Sequence, residues 1–196
     1  MYYHRKRKTQ SCSDVLDNKS KLLLFVIIFV STVVLGLGYW SVGQCMGWPE
    51  IKTRLLPDKS FAVIESKAET RLRHCPHHDS NSNLDTEQLI YILGVIDRET
   101  WLYSKNKADA KKHLQKHYDR FKSTAMKKGL QKPVNINEAK LTELVILPQI
   151  GPVLAVRIVE YRNTHNMLYI AVEDIKKVEG IGQGTFNAIR HYVTVK

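Results

Sequence analysis

The feature that most constrains the fold is a short turn that occurs twice near the C-terminus. The two copies are Leu147-Pro148-Gln149-Ile150-Gly151-Pro152 and Val178-Glu179-Gly180-Ile181-Gly182-Gln183. Each lies between segments whose apolar residues recur at helical spacing. A glycine turn that leads directly into a helix leaves backbone N–H groups without an intrahelical acceptor. Such groups suit a phosphate. Two such turns in one small domain therefore predict binding to a polyanionic backbone at two points, without contacts to base edges.

The segments around the turns predict a helical domain over residues 133–196. Asn137 is a good N-cap for a helix that ends at the first turn. Pro152 suits the first position of the next helix, because its missing N–H costs nothing there. We expect this second helix to reach about His165, a shorter third helix over residues 171–178, and a last helix that contains Thr185 to Tyr192.

At these residues the chain resembles a known family. The runs that carry the likeness are VNINEAKLTELVILPQIGP, AVRIVEYRN, VEDIKKVEGIG and TFNAIRHYV. They are similar to the tandem helix-hairpin-helix domain of the ComEA family, the membrane-linked DNA receptors of bacterial competence. The resemblance implies that the turns present backbone amides to phosphates of double-stranded DNA. It also allows a monovalent cation on the turn carbonyls, and we expect no other cofactor.

The resemblance implies phosphate contacts at the turn residues Ile150, Gly151, Gly180, Ile181, Gly182 and Gly184. The first turn departs from the family pattern, because Gln149 replaces the first of two glycines, and Val153 and Leu154 stand where many relatives carry lysine. We therefore expect the first turn to be mainly structural and the second to bind.

Further donors are predicted close to the second turn. The Gln183 amide and the Thr185 hydroxyl belong to the turn itself. Lys176, Lys177 and Arg190 lie near it in sequence and are candidates for flanking phosphates. The alternative interpretation for each of these three residues is an ordinary surface residue without a role in binding.

A membrane span is predicted before the helical regions. Leu22 to Trp40 holds nineteen residues without a charge, enough to cross a hydrocarbon core of about 30 Å at about 1.5 Å per residue. The tail at 1–21 has six Lys and Arg against two Asp, which predicts a cytoplasmic N-terminus and a periplasmic or extracellular C-terminus. The alternative is a signal peptide cleaved near residues 41–43. The length of the apolar run favours the span, because signal cores are usually about 7–15 residues.

The positive charge is concentrated before the C-terminal domain. The formal net charge is +11. Residues 133–196 contain seven Lys and Arg against six Asp and Glu, whereas residues 101–132 contain ten against two. The attractive field for an anion therefore comes from the earlier segment. Its lysines form either a solvated helix surface or a contact with DNA or anionic lipid, and the sequence leaves both open.

Residues 84–129 predict a lysine-rich helical region, either two helices or one helix bent near residues 104–106. Asp85 with Gln88 forms a predicted capping pair, Asn106 with Asp109 predicts a second helix start, and Gly129 predicts the end. The expected buried stripe of the second part consists of Ala110, Leu114, His117, Phe121 and Thr124.

Residues 41–83 are predicted to be a juxtamembrane linker, although residues 59–73 suit a short helix or strand. The run His74-Cys75-Pro76-His77-His78 offers four metal ligands within five residues. Adjacent ligands do not easily close a tetrahedron alone, so a solvated linker is favoured over a metal site. A Cys45–Cys75 disulfide is left open, since both residues would lie outside the cytoplasm.

The sequence thus predicts a mostly α protein with a transmembrane helix, a helical middle region and a C-terminal tandem helix-hairpin-helix domain. No catalytic triad, paired-metal carboxylate set or P-loop is present, and Glu173 and Asp174 fit a helix start. The function expected is sequence-independent binding of DNA outside the cytoplasmic membrane, with a DNA-translocation channel as a further partner. The alternative is a membrane-anchored scaffold or secretion-associated interaction protein that uses the same fold without DNA.

Overall fold

Helices make up most of the part of the chain that the computed structural model describes, which is residues 47–130, 132–164 and 169–196. The elements are α1 (Glu50–Arg54), β1 (Phe61–Lys67), β2 (Thr70–Pro76), α2 (Thr86–Val95), α3 (Ser104–Lys128), β3 (Val134–Asn135), α4 (Leu141–Leu144), α5 (Pro152–Thr164), α6 (Gln183–Ile189) and β4 (Val193–Thr194). Short 3-10 helices lie at Asp58–Ser60, Ile96–Arg98 and Val172–Lys177. The mostly helical class is confirmed for these residues.

The predicted basic tail at 1–21 and the predicted span at 22–40 lie outside the described residues. Within the ranges given above, none of the helices is both long and apolar enough to cross a lipid bilayer.

A β-hairpin occupies much of the segment predicted to be a linker. Strands β1 and β2 pair antiparallel, with Val63 opposite His74 and Glu65 opposite Leu72. The run around His74 is not solvated, because His74 is 8% exposed and His77 is 1% exposed. The short helix or strand that the sequence allowed over residues 59–73 is therefore part of a packed hairpin that shares the core of the helices.

Glu65 is a charged residue at a core position of β1. Its carboxylate accepts hydrogen bonds from the N–H groups of Leu102 (2.8 Å) and Tyr103 (3.0 Å) and lies 3.0 Å from His74 Nε2. Burial alone would raise the pKa of Glu65, but these donors and the Asn106 side chain hold it below its usual value. The ionised carboxylate thereby joins the hairpin to the start of α3.

The middle region consists of two separate helices. The Asp85 side chain caps α2 by accepting from the Gln88 N–H at 3.0 Å, as predicted. Helix α3 begins at Ser104 rather than Asn106, whose side-chain amide donates to Glu65 at 3.0 Å instead. It ends at Gly129, whose φ of 66° confirms the predicted stop.

The buried stripe of α3 differs from the predicted one. Its buried residues are Ala110, Leu114 and Tyr118. His117 is half-buried and Thr124 is exposed. The buried face continues from Leu114 by a step of four to Tyr118, where the prediction took a step of three to His117, and both steps are compatible with 3.6 residues per turn.

The C-terminal domain closes on itself through a short parallel bridge, in which β3 pairs with β4 and the Val134 N–H donates to the Tyr192 carbonyl at 2.8 Å. Two predicted details need correction. Helix α4 has Lys140 rather than Asn137 as its N-cap residue. Asn137 instead exchanges hydrogen bonds with the Tyr169 backbone. The predicted third helix is the 3-10 helix Val172–Lys177.

The middle region packs directly on this domain. A Cβ atom at Gly94 of α2 would lie 2.5 Å from Val156 Cγ2 and 2.9 Å from the Pro152 carbonyl oxygen of α5. Only glycine permits so close an approach. The Glu87 carboxylate of α2 accepts from the N–H groups of Leu141 and Thr142, each at 3.0 Å, and so caps α4 from another part of the chain.

Cys75 has a free thiol with 1% exposure. Burial raises the pKa of this thiol above its usual value. The sequence left a Cys45–Cys75 disulfide open, and among the described residues Cys75 has no disulfide partner. Cys45 lies outside the described residues.

Candidate nucleic-acid interface

The first turn is a tight loop between α4 and α5. Gln149 adopts a positive φ of 61°, a conformation that favours glycine. The Ile150 N–H donates to the Leu147 carbonyl at 3.2 Å, and the Ile150 side chain is fully buried. The Ala155 N–H then donates to the Gly151 carbonyl at 2.9 Å, which starts α5.

The second turn repeats this backbone pattern. Gly180 has a φ of 92°, at the position that corresponds to Gln149. The Ile181 N–H donates to the Val178 carbonyl at 3.0 Å, and the Phe186 N–H donates to the Gly182 carbonyl at 2.9 Å. The repeat seen in the sequence is therefore a repeat in structure.

The predicted roles of Ile150 and Ile181 need correction. Their N–H groups are already bonded within the turn, and their side chains are 0% and 3% exposed. These residues anchor the turns in the core and do not offer amides to a phosphate.

Other amides without an intramolecular acceptor lie in and just after each turn. Inside the turns, the N–H groups of Gln149 and Gly180 are unpaired among the described residues. Within the same residues, those just after the first turn belong to Gly151, Val153 and Leu154, and those just after the second turn belong to Gly182, Gln183, Gly184 and Thr185. The difference arises because Pro152 has no N–H. The second turn therefore leads into a continuous run of unpaired N–H groups.

The surface over these amides is open. A Cβ atom built at Gly151, Gly182 or Gly184 would meet no atom within 4 Å. The absence of side chains at Gly182 and Gly184 thus serves access from solvent rather than internal packing.

The two turns are neighbours in space. A Cβ atom at Gly180 would lie 2.9 Å from Leu154 Cδ2 and 3.0 Å from Arg157 Nη1, both on α5. Arg157 also donates from Nη1 to the Glu179 carbonyl at 3.0 Å. Arg157, whose role sequence reasoning missed, therefore ties the second turn to the helix that follows the first.

Comparison with known proteins agrees with this geometry. A family model for the helix-hairpin-helix motif matches residues 130–194. ComE operon protein 1 of Bacillus subtilis (strain 168) is 44% identical over 63 residues. Residues 130–194 form a ComEA-like helix-hairpin-helix domain. The aligned part is 32% of this chain and 30% of the relative's length, and no solved structure matches.

The basic residues predicted near the second turn of the helix-hairpin-helix domain are exposed but have intramolecular partners. Lys176 Nζ lies 5.1 Å from the centre of the Phe186 ring, and Arg190 Nε donates to His191 Nε2 at 3.1 Å. Lys177 Nζ lies 2.9 Å from Asp174 Oδ1.

Asp174 has a structural role, as expected for a residue at a helix start. Its carboxylate accepts from the N–H groups of Ala171 (2.9 Å) and Ile170 (3.0 Å). The Ala171 N–H and then the Lys177 ammonium lower the pKa of Asp174 to about 2. The carboxylate is therefore a fixed capping group before Val172–Lys177.

The lysine-rich helix α3 ends beside the first turn of the helix-hairpin-helix domain. An open cleft of about 440 Å³ is lined by Met126 and Gly129 at this end, by Lys132, and by Pro148 of the turn. At the other end of α3, Lys107 and Lys111 pair with Asp97 at 2.9 and 2.7 Å. Other basic side chains of α3 are exposed, and the described residues supply no ion pair for Lys105, Lys112, Lys116, Arg120 and Lys127.

Proposed function

We propose that this protein binds double-stranded DNA through backbone phosphates, without sequence preference, and that the second turn of its helix-hairpin-helix domain is the principal contact. The observation that carries the proposal is the run of unpaired N–H groups from Gly182 to Thr185 under an open surface. Backbone amides before a helix bind an anion but carry no information about bases.

Positive charge near the turns supports the same proposal. Helix α3 ends near the first turn, and the segment after it brings Lys132 to the same cleft. Lys176, Lys177 and Arg190 are themselves exposed, and contacts of exposed charges contribute little, so a phosphate replaces these contacts at little cost. Binding and not catalysis is the role we propose.

The setting we propose is the outer side of the cytoplasmic membrane. The uncharged run at residues 22–40 and the basic tail before it support a single-span anchor with the C-terminus outside. The similarity to ComE operon protein 1 supports a role in competence, in which this protein receives DNA and passes it to a translocation channel.

A second candidate is a scaffold protein that keeps the helix-hairpin-helix domain for packing. The near balance of charge over residues 133–196 and the partners of Lys176 and Lys177 favour it. Under this alternative, charge reversal at these two lysines leaves any weak affinity for DNA unchanged.

The experiment that tests DNA binding is the salt dependence of affinity, measured by fluorescence anisotropy with the full-length protein in detergent. If about four to six phosphates are engaged, log affinity falls linearly with log salt with a slope of roughly −4 to −5. Duplexes of random and defined sequence bind equally.

Lys176→Gln makes the slope less negative by about 1, whereas Lys59→Gln, at an exposed lysine beside the β-hairpin, leaves it unchanged. A strong preference for one sequence, or no binding at low salt, contradicts the proposal.

A further inference from the structure

Four histidines from two elements meet at one place away from the turns. His77 and His78 follow β2, and His113 and His117 lie one helical turn apart on α3. Ring centres are 4.4 Å apart for His77 and His78, 5.1 Å for His77 and His113, 5.4 Å for His77 and His117, and 4.9 Å for His113 and His117. The sequence argument against a metal site fails here, because α3 supplies the second pair of imidazoles that adjacent residues cannot provide alone.

The first pair has fixed ring orientations. His77 Nδ1 lies 2.9 Å from the Cys75 carbonyl oxygen, and His78 Nδ1 lies 3.1 Å from the Ser82 carbonyl oxygen. Because a carbonyl oxygen only accepts, both Nδ1 atoms carry the proton and both Nε2 atoms present a lone pair. A backbone carbonyl that orients an imidazole in this way is the usual outer support of a metal-bound histidine.

The spacing of the nitrogens suits one small cation. His77, His78 and His117 each offer a nitrogen within 4.8 Å of the others, and His77 Nε2 lies 3.1 Å from His113 Nε2. Around a tetrahedral Zn²⁺ with bonds of about 2.0–2.1 Å, ligand nitrogens are about 3.4 Å apart and imidazole centres about 5 Å apart. The nitrogens of His77, His78 and His117 are thus within side-chain rotation of these distances, and His113 adjoins the group through His77.

Burial and donor type restrict the ligand. His77 forms the floor with 1% exposure, His78 and His117 are half-buried, and His113 is exposed at the entrance. Four neutral nitrogen donors suit a borderline transition metal and not Ca²⁺ or Mg²⁺, which prefer oxygen.

We propose that His77, His78 and His117 bind one Zn²⁺ ion, with His113 as the fourth ligand. The ion fastens the segment after the β-hairpin to the middle of α3, two parts of the chain that are about 35 residues apart in sequence. With four protein ligands the site is closed, which makes its role structural.

The test is calorimetric titration of Zn²⁺ into the full-length protein, purified without a polyhistidine tag and treated with a chelator. One equivalent of Zn²⁺ binds and raises Tm. His78→Ala and His117→Ala weaken Zn²⁺ binding by at least about 100-fold. These half-buried positions leave the core intact, unlike the buried His77. His191→Ala removes an exposed histidine elsewhere and keeps wild-type affinity.

Co²⁺ provides a second readout, because its visible absorption is intense when coordination is tetrahedral. The wild-type protein gives the tetrahedral spectrum, and His113→Ala changes it by removing one nitrogen. The site is refuted if Zn²⁺ fails to bind, or binds His117→Ala as tightly as the wild-type protein. An unchanged Co²⁺ spectrum in His113→Ala refutes His113 as the fourth ligand.

Discussion

At the scale of single residues, the two turns solve the same backbone problem with different chemistry. Gln149 and Gly180 both have positive φ, at 61° and 92°. Left-handed backbone costs a residue with a side chain about 1–2 kcal/mol. The Gln149 side chain is exposed, so the backbone conformation is its only cost. A side chain at Gly180 would in addition collide with Leu154 and Arg157.

Replacement of Gln149 by glycine is therefore expected to stabilise the protein. Relief of the left-handed conformation outweighs the extra chain entropy of glycine, about 0.5–1 kcal/mol, and leaves a net gain of about 0.5–1 kcal/mol. Urea unfolding measures this change. Gly180→Ala is the matched opposite and is expected to lose about 1–2 kcal/mol. Equal stability of all three proteins would show that the turns are not strained as described.

Glu65 makes stability depend on acid pH. Its folded pKa is below the usual value because of the donors around its carboxylate. The contribution is therefore fully present above the pKa of glutamate in the unfolded chain, and is lost as pH falls through the lower folded pKa. Glu65→Gln should flatten the acid side of a plot of unfolding free energy against pH. Glu69→Gln, at the exposed end of the same hairpin, should leave the plot as it is.

At the scale of secondary-structure elements, the contact of α2 with α5 holds the middle region on the helix-hairpin-helix domain. The contact depends on Gly94, which faces Val156 and the Pro152 carbonyl. Helix α5 begins at the first turn, and its Arg157 donates a hydrogen bond to the Glu179 carbonyl of the second turn. The contact of α2 with α5 therefore also holds the helix that supports the second turn.

Gly94→Ala is expected to destabilise the protein by about 1–3 kcal/mol through overpacking. Helix propensity alone predicts the opposite sign, a gain of about 1 kcal/mol. Gly184→Ala is the control, since a Cβ atom there meets open space, and it should be neutral or stabilising. Thermal unfolding of the two variants separates these effects, and a gain of stability in Gly94→Ala would rule out the close contact.

At the scale of the whole molecule, the sequence predicted the features that depend on neighbouring residues better than those that depend on contacts between distant segments. The turns, the Pro152 helix start, the Asp85 cap and the Gly129 stop depend on a few neighbouring residues. The sequence allowed a helix or strand over residues 59–73 but did not predict the β-hairpin, because Glu65 stands where an apolar residue is expected and the turn at Ala68 contains no glycine.

Functional groups assembled from distant segments were also beyond sequence reasoning. The Glu87 carboxylate caps α4 across more than fifty positions, and the four histidines come from two elements. In the two turns, the sequence assigned amide roles to Ile150 and Ile181, whose N–H groups instead close the turns. Only the backbone geometry distinguishes an amide that closes a turn from one that faces solvent.

The measurement that tests the central claim most directly is the duplex affinity of Gly182→Val against that of Gly151→Val. Both glycines lie at the same position of their turns, and a Cβ atom at either meets open space, so both variants should keep the fold, as circular dichroism and Tm can verify. The account predicts at least a tenfold loss of affinity for Gly182→Val, because its side chain covers the run of free amides, and a clearly smaller loss for Gly151→Val. Folded Gly182→Val with wild-type affinity would contradict the account.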